Sequence, residues 1–323
     1  MKAGGGAAAP TAWTRQRERS HRWQLRVMRW LALFAGRRAT RLLLHPIVCA
    51  FILDRRTRQH SGRYLARALG RTATWGDVYR HLHTFASTVL DRVYLLQERF
   101  DLFRFEASGV ETIMAPFAQG EGVLAFGAHV GSFEALRMIG HEKGLRVAMI
   151  MYEDNARLIN ETLAALAPRA ELRTIALGRV DAMLAIRRWL DEGGVAGLLA
   201  DRSLPGNSQR SKAIALSFLG APALFPDGPF RLAAMLRRKV VFTAGLYRGG
   251  RDYDLRFVEL ADFAALRGAG PAGAAERDAA IAAAMQRYVE TLEGLCREAP
   301  YNWFNFYDFW ADADTSSSQN PAT

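Results

Sequence analysis

The sequence is poor in the features that would place it in several large classes. It has two cysteines, Cys49 and Cys296, too few for a disulfide framework or a Cys-rich zinc module. Its 28 glycines and 11 prolines follow no period, which excludes a collagen-like chain. Half of its 323 residues are hydrophobic and 11% aromatic, which excludes a disordered chain and supplies material for a large core. Acid is scarce at one end. Residues 1–60 hold thirteen lysines and arginines against Glu18 and Asp54, so this arm carries the whole net charge of +11. The remaining residues balance at thirty of each sign. Such an asymmetry fits an anionic surface as partner.

The basic arm also lacks a long apolar run. Its longest stretch free of Lys, Arg and acids is the twelve residues 42–53, interrupted by His45 and Pro46. A spanning helix needs about twenty apolar residues. Extension back to Leu31 would bury Arg37, Arg38 and Arg41 at roughly 2.5–3.5 kcal/mol each. The run lies late, behind a long basic stretch and without an A-x-A site, so a secretory signal is not expected. Two amphipathic pieces fit better. Trp23, Val27, Trp30, Leu31 and Phe34 recur at helical spacing between arginines, and residues 42–53 form a second piece with a break expected near Pro46. Such a face either enters the headgroup region of an anionic bilayer or packs on the body; the concentration of Arg and aromatics favours the bilayer. Nucleic acid is not an expected partner, because no helix-turn-helix, zinc-finger or RNP pattern accompanies the charge.

Beyond residue 74 the pattern alternates. Thr74 caps a helix expected over 74–98. Short apolar runs at 122–127 (GVLAFG), 146–151, 172–177, 195–200, 239–246 and 254–259 read as strands. Stretches at 131–143, 155–166, 180–192, 227–237 and 276–298 read as helices. The expected fold class is α/β, with a mixed, largely parallel central sheet flanked by helices and an N-terminal amphipathic helical arm. The expected organisation is a membrane-associating arm (1–60), one catalytic domain (61–314) and a polar tail (315–323). Ligands in such folds bind beyond the carboxyl ends of the strands.

One constellation carries chemistry. The strand GVLAFG runs into Ala128-His129-Val130-Gly131-Ser132-Phe133-Glu134. His129 then stands at a strand's carboxyl end, and Gly131 and Ser132 open the next helix, whose N–H groups suit an oxyanion or a phosphate. A turn between His129 and Glu134 would fold the carboxylate onto the imidazole, holding one ring nitrogen and leaving the other to take a proton from a hydroxyl. The bland alternative is a surface histidine and a glutamate that favours its helix dipole.

These residues resemble the H-x4-D/E signature of the lysophospholipid acyltransferase superfamily, and most closely its late lipid A biosynthesis branch, which uses Glu. Further segments resemble that branch in the same order: Tyr152-Glu153-Asp154-Asn155, the strand ending in Asp201-Arg202, Phe218-Leu219-Gly220-Ala221-Pro222-Ala223, and Pro300-Tyr301-Asn302-Trp303. The chain has Asp201-Arg202-Ser203 where that branch commonly has D-Q-D. The resemblance implies an acyltransferase moving an acyl group from an acyl carrier protein or CoA thioester to a hydroxyl of a lipid A precursor or related glycolipid. His129 would be the general base and Glu134 its orienting partner. Gly131, Ser132, Asn155, Asp201 and Arg202 would line the substrate site. No metal or organic cofactor is implied. The expected location is the cytoplasmic face of the inner membrane, held peripherally or shallowly through the arm.

Two readings from other classes stay beside it: a non-catalytic lipid or membrane binder on the same fold, and a glycosyltransferase using Asp252-Tyr253-Asp254 for a metal. A hairpin turn after Arg248-Gly249-Gly250-Arg251 explains the last motif better. Ser132 sits one place off a nucleophile elbow, which argues against a serine hydrolase. The two cysteines are expected to be buried free thiols. The aromatic segment 301–310 reads as core packing, with an acyl-chain wall as the alternative.

Overall fold

The computed structural model describes residues 12–152, 173–177, 181–202, 213–266 and 271–310, with the side chains of 12–29, 31, 271 and 272 left aside. The chain opens with three helices: α1 (Ala12–Leu53), α2 (Arg55–Leu69) and α3 (Trp75–Leu95). Strand β1 (Arg104–Ser108) and helix α4 (Glu111–Ala118) lead to β2 (Val123–Gly127), α5 (Phe133–Lys143), β3 (Val147–Tyr152) and β4 (Arg173–Leu177). Helix α6 (Ala182–Asp191) and β5 (Val195–Leu199) precede a hairpin of β6 (Ala213–Phe218) and β7 (Ala221–Pro226). Helix α7 (Gly228–Leu236), the long strands β8 (Lys239–Gly249) and β9 (Asp252–Asp262), and helix α8 (Pro271–Glu298) complete the order.

Seven strands form one sheet in the order β1-β9-β8-β2-β5-β3-β4. The five from β8 to β4 run parallel, while β9 is antiparallel to β8 and carries β1 beside it in parallel. The expected α/β class with a largely parallel sheet is therefore the observed one. The centre of the sheet is β2, buried along its whole length. Leu124 and Phe126 face one core, with Tyr288 and Phe230 of α8 and α7. Val123 and Ala125 face the other, with Leu90, Val93, Ala135 and Ile139 of α3 and α5. Burial on both faces is why this strand reads as a continuous apolar run.

Helix starts obey the expected chemistry. Thr74 caps α3 in a reciprocal capping box with Asp77. The segments not foreseen are β1, α4, α2 and the β6–β7 hairpin. That hairpin turns through Leu219 and Gly220, both at positive φ (50° and 78°), as a two-residue primed turn requires. The expected helix at 155–166 lies outside the described residues.

The arm corrects two expectations. The helix of α1 runs through Pro46 and breaks instead at Gly36 (φ 77°, ψ 163°), a conformation that glycine adopts at least cost. Its apolar residues also divide. Ala32, Leu44 and Val48 are buried, whereas Trp30, Phe34, Leu42, Ile47, Phe51 and Leu53 are exposed. Just past the break, Arg37 forms a bidentate pair with the buried Asp91 of α3 (2.7 Å twice), which also accepts from Tyr253 Oη at 2.9 Å. The arm is thus clamped to the body at Gly36–Arg37. Cys49 is exposed while Cys296 is buried, so only one thiol fits the expectation. Among the described residues no helix is long and apolar enough to cross a membrane.

His81 of α3 is fully buried between Ser61 and the C-terminal segment. The Trp303 carbonyl can only accept, so His81 Nε2 donates to it (2.9 Å) and Nδ1 accepts from Ser61 Oγ (2.8 Å). Burial pushes its pKa down to about 4, partly offset by the Trp303 hydrogen bond. Between the unfolded value of 6.5 and about 4, the unfolded chain takes up a proton that the native chain refuses. Stability from this group is complete above pH 6.5 and falls with pH by roughly 3 kcal/mol, levelling off below 4. Urea denaturation from pH 7 to 4 should show this slope in the wild type and lack it in His81→Gln.

Candidate active site

The site is set by strand register. Strands β2 and β5 are parallel neighbours, with Val123 opposite Val195 and Gly127 opposite Leu199. Continued two residues past the strand ends, the same register puts His129 opposite Asp201. The side chains meet there: His129 Nδ1 lies 2.9 Å from Asp201 Oδ1, and the His129 backbone N–H donates to Oδ2 at 3.0 Å. A third donor, Trp303 Nε1, reaches Oδ2 at 3.1 Å. Asp201 is wholly buried. Burial alone would raise its pKa, but the His129 charge and hydrogen bonds, with Arg202 nearby, outweigh it and hold the carboxyl well below the usual range.

An ionised carboxylate only accepts, so the neutral His129 ring must carry its proton on Nδ1. Nε2 is left bare and makes no hydrogen bond among the described residues. The side chain is 37% exposed, in contrast to its partner. The result is an oriented imidazole whose basic nitrogen is open to the exterior at the carboxyl end of the sheet, as a general base requires.

The chain leaves β2 through Gly131, at φ +63°. A Cβ here would lie 2.0 Å from the Gly245 carbonyl oxygen, so only glycine lets this turn touch β8. Ser132 then caps α5, its Oγ accepting from the Ala135 N–H. The backbone donors of Gly131 and Ser132 are already used within the protein. Gly131 N–H goes to the Asn302 carbonyl and Ser132 N–H to the Gly245 carbonyl, each at 2.8 Å. Ser132 itself is buried. These two residues shape the turn that leads from β2 into α5.

The structure does not bring Glu134 to His129. Its carboxylate pairs with Arg92 of α3 at 2.6 Å and accepts from Ser132 Oγ at 3.1 Å. The carboxylate that meets His129 is Asp201. Because Ser132 is already the helix cap, Glu134 is in the first turn of α5 and is drawn to the α3 cation instead of the strand end. Arg202 lies beside the pair, with Nε 3.6 Å from Asp201 Oδ2 and a terminal nitrogen donating to the Phe304 carbonyl at 2.8 Å. Its guanidinium covers the Tyr307 ring, and its Nε has no hydrogen-bond partner among the described residues. Asn155 lies outside the described residues.

A C-terminal strap closes the site from the other side. Val130 and Trp303 form an antiparallel bridge, and the Phe304 N–H donates to the His129 carbonyl at 2.8 Å. Asn302 binds both the N–H and the carbonyl of Tyr247 on β8. Trp303, Phe309 and Trp310 are core residues. The D-x-D motif is structural: Asp252 pairs with Arg104, and Asp254 with Arg248 and Arg256.

A family model described as bacterial lipid A biosynthesis acyltransferase matches residues 92–311, more than half of the chain. The chain belongs to this family. It is an acyltransferase, and the match spans β2, the His129–Asp201 pair and the C-terminal strap. A search of curated proteins returned no match.

Sequence reasoning named His129 and Asp201 separately but missed their pairing, and it missed Trp303 as a donor. A signal was present. Residues 122–129 (GVLAFGAH) and 194–201 (GVAGLLAD) are two eight-residue segments of one opening, each holding a five-residue strand and ending in His and Asp. Replacing Asp201 by Asn should invert the ring's protonation, since an amide N–H would then face Nδ1. Nitrogen-15 NMR of the neutral ring should show Nδ1–H in the wild type and Nε2–H in Asp201→Asn. Turnover should fall about 10³–10⁴-fold, the scale set by the equivalent change in a serine protease triad.

Proposed function

We propose that this acyltransferase moves a fatty acyl group from an acyl-carrier-protein or CoA thioester to a hydroxyl of a lipid A precursor or related glycolipid. The observation that carries the reading is the His129–Asp201 pair with Nε2 open at the carboxyl end of β2. The acceptor hydroxyl gives its proton to His129 Nε2 as its oxygen attacks the thioester carbonyl carbon. A C–O bond forms, and the carbonyl electrons move to an oxyanion. Collapse breaks the C–S bond, and the leaving thiolate takes the proton back from His129, which regenerates the base. Arg202, a cation beside the dyad, is the group proposed to support the oxyanion through its charge. The base is an imidazole and the leaving group a thiolate, so this sequence of steps needs no metal or organic cofactor. Asp201 takes the orienting role expected of Glu134, and Glu134 fixes the start of α5 to α3.

The same reading puts the protein on the cytoplasmic face of the inner membrane, held peripherally by α1. Trp30 (60% exposed), Phe34 (79%), Leu42 (69%) and Leu53 (73%) offer apolar surface, and Arg38, Arg55 and Arg56 are exposed on the same arm. Apolar insertion combined with cationic attraction suits an anionic lipid surface.

Lipid mass spectrometry of bacterial cells expressing wild type or His129→Ala tests the chemistry. The expected result is a glycolipid heavier by one acyl group in the wild type alone; identical lipidomes with both proteins folded would sink the proposal. Flotation with vesicles containing anionic lipid tests the arm. Trp30→Ser combined with Phe34→Ser should reduce the bound fraction several-fold, and added salt should weaken what remains.

A further inference from the structure

Trp303 donates to the Asp201 half of the dyad, and the acyl-transfer reading gives it no task. We propose that Trp303 is a positioning residue for acyl transfer, its indole N–H acting through the Asp201 carboxylate on the His129 ring. The inference rests on the reading of His129 as the base.

Three observations carry it. First, the indole nitrogen donates to Oδ2, the oxygen that also takes the His129 backbone N–H, so Oδ1 is kept for the ring. Second, the indole cannot swing away. It is fully buried and packed edge-on against Tyr64 (4.9 Å between centroids), Phe218 (5.2 Å) and Phe309 (4.9 Å). Third, the main chain of the same segment brackets the base, through the Val130–Trp303 bridge and the Phe304 N–H on the His129 carbonyl. That segment is anchored in turn by His81 on the Trp303 carbonyl. Several apolar side chains would fill the space at 303; only an indole places an N–H there while keeping the aromatic packing.

Removal of that donor has a signed consequence. Oδ2 would keep one hydrogen bond instead of two, so more of the carboxylate's charge would be directed at the imidazole. The protonated ring would be favoured and the Nδ1–H···Oδ1 bond strengthened. The other titratable groups facing Asp201 are Arg202 beside it and Tyr288 and Cys296 on α8. Burial raises the pKa of both Tyr288 and Cys296, so neither is charged near neutrality.

The test uses the full chain with Trp303→Phe and, as a closer isostere lacking the N–H, 3-benzothienylalanine at position 303. Thermal melts show which of the two is folded, and the isostere stands in where Phe is not tolerated. Two readouts follow. Proton NMR should show the His129 Nδ1–H resonance moved downfield from its wild-type position. With palmitoyl-CoA or palmitoyl-loaded acyl carrier protein as donor and tetra-acylated lipid A in mixed micelles as acceptor, the acid limb of kcat/KM should move up by roughly one pH unit. kcat should fall about tenfold while KM stays within about twofold. A folded variant with an unmoved Nδ1–H resonance and a wild-type acid limb would overturn the inference, leaving a purely packing role. His129→Ala in the same assay separates the two failures. Its loss of turnover beside an unmoved Trp303 variant removes the positioning role alone, and its full activity removes the base and the positioning role together.

Discussion

A buried carboxylate has to be met by donors, and the arrangement around Asp201 follows from that requirement. A lone ionised acid in the interior costs several kcal/mol even after relaxation. Asp201 avoids the cost by taking three N–H groups from two segments far apart in the chain: the end of β2 and the C-terminal strap. Each is a charge-assisted bond, the strong kind, and together they place His129, Trp303 and the end of β5 at fixed positions. One of the three determines which ring nitrogen is bare, the feature on which the proposed chemistry rests. Polar satisfaction and chemistry are thus the same geometry seen twice.

The strap is held by interactions that reach outward from the site to the arm. Trp303 is tied through its carbonyl to His81 of α3, and His81 to Ser61 of α2. Helix α3 also carries Asp91, which receives Arg37 just past the Gly36 break. It carries Arg92 as well, which holds Glu134 at the start of α5. One helix therefore touches the strap, the arm and the helix that follows His129. His81 and Asp91 among these are fully buried, where a lost partner is expensive. The exposed apolar residues of α1 sit on a segment clamped to this helix, so the surface proposed to meet lipid is fixed relative to the dyad.

What was legible in the sequence was whatever depends on local pattern. The alternating apolar runs gave the parallel sheet, and Thr74 gave the start of α3. His129 at the end of a strand buried on both faces was visible because such a strand is a continuous apolar run followed by a polar residue. Strand β1, with its mostly exposed residues 104–108, has no apolar alternation to read, and among the described residues β6 and β7 pair only with each other. The break in α1 was expected at Pro46 because proline removes a helical donor, yet Gly36 supplies the positive φ that ends a helix segment, and the helix tolerates Pro46. The division of α1 into buried and exposed apolar residues depends on where α3 lies, which no property of residues 30–53 encodes.

The choice between two acids for one histidine shows where local reading stops. Glu134 is five residues from His129 and looks within reach, whereas Asp201 is 72 residues away. Sequence distance favours Glu134, but geometry does not. Between His129 and Glu134 the chain makes a left-handed turn at Gly131 and spends Ser132 as a helix cap, so Glu134 projects from a new element with its own cation partner. Between His129 and Asp201 lies only the spacing of adjacent parallel strands, and equal strand lengths keep the two ends level. Neighbouring parallel strands of equal length and level register bring their following residues side by side, as a helix does positions four apart. For a polar residue at the end of one central strand, the partner to seek is therefore the residue at the same offset beyond its neighbour, ahead of any carboxylate nearby in the chain.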